Sequence, residues 1–166
     1  MAQRPEIRSY DYVNHPYAQV RDALVADPAG VFRSATRAAA ARAESVAAAL
    51  HVSIAGLEVG TEIALTMGTI AEVDSSGYAS KVTKLPISWQ AAARPQLFPL
   101  MDGELSVYAL TATETQLDFL GRYEPPLGVL GGAINAVAGH RIADASVHRF
   151  IGDIAQYLRH HLSSRS

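Results

Sequence analysis

The sequence predicts one α+β domain over residues 1–166: a curved antiparallel sheet of about seven strands, two short helices after the first strand, and a long C-terminal helix across the concave face. Three observations carry this. Apolar residues recur with a period of two from about Val46 to Tyr123. Helical spacing governs the stretch between Pro16 and Glu44. The double proline Pro125-Pro126 ends the last strand and presets a helix start, and an apolar register continues from there to Leu162.

Residues 1–6 read as a loose tail. Ile7, Ser9, Asp11 and Val13 alternate with Arg8, Tyr10 and Tyr12, which predicts a first strand. Pro16 marks a helix start, and Tyr17, Val20 and Leu24 form its apolar stripe until Asp27-Pro28 stops it. The Ala- and Arg-rich run Val31–Glu44 predicts a second short helix anchored by Phe32, with Arg33, Arg37 and Arg42 on a solvated face. Leu50, Val52 and Ile54 then alternate with His51 and Ser53, and Gly56 and Gly60 bracket a turn. Ile63, Leu65 and Met67 continue the inward face, and Asp74-Ser75-Ser76-Gly77 forms a turn. Leu85, Ile87 and Trp89 share one face of the run Val82–Ala92, which Arg94-Pro95 breaks. Asp102-Gly103 after Phe98–Met101 is the strongest two-residue hairpin signal in the chain. Leu105, Val107 and Ala109 follow, then a polar turn at Thr111–Thr115, then Leu117, Phe119, Gly121 and Tyr123.

Composition narrows the function. With 49% hydrophobic and 18% charged residues, the chain is globular and rather apolar. Its net charge of −2 and lack of a basic run argue against a nucleic-acid partner. With no cysteine, thiol catalysis and thiolate metal sites are excluded, and a cytoplasmic location is expected. Met1–Asn14 has no signal-peptide core. The longest charge-free apolar stretch, Leu127–Gly139, is 13 residues, so no membrane span is expected.

The terminal helix holds the most suggestive residues. Ala133, Val137, Ile151, Ala155, Leu158 and Leu162 form its apolar register, and continuing that register through the middle lands on His140, Asp144 and His148. Asn135, Ser146, Arg149, Asp153 and Gln156 read as the wet face. Asp144 is four residues from each histidine and three from Arg141, all within reach on a helix. Such a cluster on a buried face is either a paired structural network or the polar end of a binding site.

Several segments together carry a likeness. They are Gly103-Glu104-Leu105, Leu117–Tyr123, Tyr123-Glu124-Pro125-Pro126-Leu127-Gly128, and the helix with Gly139-His140-Arg141-Ile142-Ala143. With this layout the chain resembles the START-like (SRPBCC, helix-grip) superfamily, in a bacterial branch rather than a named enzyme subfamily. The resemblance implies a deep apolar cavity between sheet and last helix that binds lipids, sterols, polyketides or other hydrophobic molecules. Some members are cyclases. No catalytic motif is common to the superfamily, so no catalytic role transfers.

Within that cavity, Arg141, His140, Asp144 and His148 would supply the polar end, and Trp89, Phe119 and Tyr123 the wall. Gly121 would open space between Phe119 and Tyr123 on the inward face. His140 and His148 lie about 12 Å apart along a helix, too far to share one ion, so no metal is expected. No cofactor is expected either. Ser146 falls nearly opposite Asp144, so His140, Asp144 and Ser146 form no triad. His140 or His148 beside Asp144 would suit acid–base catalysis. Three functions stay open: a protein that binds a hydrophobic or amphipathic small molecule; a cyclase, aromatase or dehydratase with a histidine acid/base; and an interaction module without ligand, such as a homodimer.

Overall fold

A computed structural model describes residues 4–49, 63–75, 81–91, 100–124 and 133–165. The elements run β1 (Glu6–Val13), α1 (Tyr17–Ala26), α2 (Pro28–Ala49), β2 (Ile63–Met67), β3 (Ala71–Asp74), β4 (Lys81–Ala91), β5 (Leu100–Ala109), β6 (Thr115–Glu124) and α3 (Ala133–Ser163). The described strands form one curved antiparallel sheet in the order β1-β6-β5-β4-β2, with β3 also paired to β4. The architecture is the expected α+β, helix-grip arrangement.

Pairing begins at Glu6, and the Pro5 carbonyl accepts the Tyr123 N–H, so the last two residues of the expected tail are ordered against the sheet. Ile7, Ser9 and Val13 are buried while Arg8, Tyr10 and Tyr12 face out, as the alternation required. α1 ends at Asp27, whose carboxylate accepts the Gly30 N–H and caps α2. α2 is longer than expected. Its 22 residues carry the helix through Val46, where the sequence suggested a strand. The rest of that expected strand, with Leu50, His51 and Ile54, lies outside the described residues. Alanine explains the extension: Ala35, Ala39 and Ala43 are buried, and alanine favours helix whatever apolar alternation suggests.

Two further expectations change. Met67 is exposed rather than inward. Asp102-Gly103 is no hairpin, because β5 runs straight through it and pairs with β4 and β6 on either side. Turn chemistry yields here to packing. Gly103 stands opposite Gly121, and the Phe119 ring leans over the pair, with Cζ 2.5 Å from where a Gly103 Cβ would sit. The true β5–β6 turn is the polar one, where Glu114 O accepts the N–H groups of Leu110 and Thr111.

Pro86 sits inside β4 without breaking it. Its carbonyl accepts the Gly68 N–H at the break between β2 and β3. Both polar groups of a strand residue face the same neighbour, so the missing N–H falls where no strand needs it.

The core lies between the sheet and the pair α2–α3. Trp89 of β4, Phe119 of β6, Phe150 of α3 and Phe32 of α2 form a chain of rings with centroids 4.7–6.2 Å apart. Arg33, Arg37 and Arg42 are exposed on α2, as expected.

Candidate functional site

The buried stripe of α3 is Ala138, Ile142, Ala143, Ser146, Val147, Phe150, Ile151, Ile154, Ala155, Leu158 and Leu162. From Ile151 to Leu162 it matches the expected register. N-terminal to Ile151 the next contact is Val147, then Ala143, rather than His148 and Asp144. A backward step of four residues from Ile151, where the sequence pattern also allows three, turns the buried face by one residue, about 100° around the axis. Val137 is therefore 62% exposed and Ser146 only 4%. The side chains of residues 133–136 lie outside the described set, and so does the expected helix start near Pro126.

His140, Arg141 and His148 are consequently exposed and Asp144 is half-buried. They form no single buried cluster. The His148 and Asp144 side chains are 60% and 45% exposed, and their closest approach is 3.7 Å. Each histidine instead rests on a buried sheet hydroxyl at the rim of α3. Ser9 Oγ of β1 lies 2.8 Å from His148 Nδ1. Tyr123 Oη of β6 lies 3.1 Å from His140 Nδ1, with the two rings tilted at 6.0 Å. Strand alternation places Ser9 on the inward face of β1 but says nothing of His148. The link is a long-range contact that local spacing does not encode.

Tyr123 is buried, and burial pushes its phenol above the ordinary tyrosine range. It stays protonated at neutral pH and can donate to His140 Nδ1.

Tyr123 also ends an inward row across the sheet. Leu65 faces Trp89, Trp89 faces Met101, and Met101 faces Tyr123. This row lies at the end of the sheet where β2 begins, β4 ends, β5 begins and β6 ends. Trp89 and Phe119 are fully packed within the aromatic chain, so they make a floor rather than an open wall.

The space expected at Gly121 is filled. An added Cβ would meet Phe119 Cε1 at 2.7 Å and Met101 Sδ at 2.8 Å. Gly139 is buried one turn before Ile142 and Ala143, yet nothing described lies within 4 Å of where its Cβ would be. It adjoins His140, the partner of Tyr123. Among the described residues no three histidine or acidic side chains converge to hold a metal ion. Likewise, no described helix is long and apolar enough to cross a membrane.

No protein-family model and no curated protein matches the chain. Several solved structures are similar in outline. A protein from Thermus thermophilus is 13% identical, with a TM-score of 0.44 over 98% of this chain and 100% of that one. A conserved protein from Geobacillus kaustophilus is 13% identical, with a TM-score of 0.46 over 95% and 94%. The ZhuI aromatase/cyclase from Streptomyces sp. R1128 is 16% identical, with a TM-score of 0.41 over 98% and 96%. At such identities and TM-scores these likenesses carry no functional argument.

Proposed function

We propose that this chain binds a hydrophobic or amphipathic small molecule of lipid, sterol or polyketide type between its sheet and α3, as a START-like protein would. The observation that carries this is the inward row Leu65–Trp89–Met101–Tyr123, which ends in a buried hydroxyl 3.1 Å from His140 Nδ1. Gly139 of α3 adjoins that histidine, and no described residue lies within 4 Å of its Cβ position. An apolar floor closed at one end by an oriented polar group is the lining that a hydrophobic or amphipathic ligand takes. The apolar row Leu65–Trp89–Met101 would receive the ligand body. Tyr123 Oη, held by His140, would meet its polar end. His148, Asp144 and Arg141 lie on the exposed rim of the same helix, where they would meet a headgroup rather than the ligand's interior.

Trp89 is the only tryptophan and reports directly on this floor. Titration with palmitate should change its emission saturably, and native mass spectrometry of freshly purified protein should find a bound lipid. Gly139→Leu should abolish both signals while the helix keeps its content. Unchanged Trp89 emission at high palmitate, together with a ligand-free mass, would refute the reading.

The Tyr123–His140 pair favours a second reading, acid–base catalysis of the cyclase, aromatase or dehydratase kind. It would apply if His140→Ala lost turnover of a polyketide-like substrate while palmitate binding persisted.

A further inference from the structure

The two edges of the described sheet differ. On one side β2 and β3 are short, at 5 and 4 residues, and are separated by a break opposite Pro86. Short, interrupted edges resist pairing with another chain. On the other side β1 offers 8 residues without interruption. Pro5 bonds to Tyr123, and groups facing β6 alternate from there, so the N–H and C=O of Arg8, Tyr10 and Tyr12 point away from the sheet. Tyr10 is 70% exposed beside them. This is the edge on which a second chain could add a strand.

At Tyr12 both outward groups are already occupied from within the chain. The Tyr12 N–H donates to Asp11 Oδ1 at 2.7 Å. Arg159 Nη2 of α3 donates to the Tyr12 carbonyl and, at 2.7 Å, to the same Asp11 oxygen. The guanidinium also lies over the Tyr12 ring, 5.4 Å from its centroid. One arginine, one carboxylate and one aromatic ring thus close a loop over a single edge residue, in a position that added backbone would need.

We propose that Arg159 is an edge lock: it occupies the β1 site for strand addition and keeps a second copy of the chain from pairing there. A second copy is the natural occupant once the lock opens. It presents the same edge, and two such strands pair antiparallel about a two-fold axis through backbone groups alone.

Arg159→Gln should show a concentration-dependent larger species in sedimentation velocity that the wild type lacks. Adding Tyr10→Pro should remove it, because the proline deletes an outward N–H and leaves the β6 ladder intact. Hydrogen exchange on the wild type gives an independent reading. The Tyr12 amide should exchange about tenfold more slowly than those of Arg8 and Tyr10. A folded Arg159→Gln that does not self-associate would overturn the proposal. So would a Tyr12 amide exchanging as fast as its neighbours, and that result decides the matter even if the variant fails to fold.

Discussion

Replacing Gly103 with alanine adds one methyl group to the middle of β5. The added Cβ would sit 2.5 Å from Phe119 Cζ, 2.7 Å from the Leu120 carbonyl oxygen and 2.9 Å from Gly121 Cα. Two of those three atoms are backbone, so they cannot rotate away. The Phe119 ring cannot retreat cheaply either, since it lies 5.9 Å from Trp89 and 5.7 Å from Phe150, centroid to centroid. Overpacking a core costs about 1–3 kcal/mol, and removing glycine's freedom from the unfolded chain returns about 0.4–1. With two of the contacts on backbone the cost falls at the upper end, about 3 kcal/mol, so the net is a loss of about 2 kcal/mol. With a urea slope near 2 kcal/mol per molar, the midpoint should fall by about 1 M. Gly152 of α3 is the matched control, with nothing described within 4 Å of its Cβ position. Gly152→Ala should stabilise by about 1 kcal/mol, the helix-propensity difference. Trp89 fluorescence follows both transitions. A Gly103→Ala protein as stable as wild type would show that Phe119 does not fill the space at Gly103, and the reading of Gly121 would fall with it.

Phe150→Ala should cost about 3–5 kcal/mol by chemical denaturation, because it removes the ring that joins Trp89, Phe119 and Phe32. Asp144→Ala should lower the unfolding free energy by no more than about 1 kcal/mol in chemical denaturation, since its pairing with His148 is long and exposed; a loss above about 3 kcal/mol would restore the buried network that the helical spacing suggests. Hydrogen bonds from Tyr17, Arg21 and Lys81 hold the Glu72 carboxyl below the ordinary carboxylate range. A lowered folded-state pKa contributes stability above the unfolded value and loses it as pH falls through the folded one. Glu72→Gln should therefore flatten the acid limb of the stability–pH curve, and an unchanged limb would show that this cluster contributes nothing to acid stability.

Much of the fold was legible in the sequence. A period of two placed β1, β4 and β6 with their inward residues, and Asp27-Pro28 separated two helices, because strand alternation and proline act locally. The site was less legible. A buried hydroxyl such as Ser9 or Tyr123 looks like any other strand residue until the helix arrives beside it.

By itself the sequence determined the α+β class, the element order at both ends of the chain and the apolar side of α3 from Ile151 to Leu162. Tertiary structure decided the rest of that helix. Ala143 and Ser146 are too small or too polar to announce a core position, and adjacent candidates such as Val147 and His148 both satisfy a spacing of three or four. Contact with α2 and the sheet selects between them. The same holds for Gly103, where turn chemistry is a local preference and the Phe119 ring, brought across from β6, outweighs it.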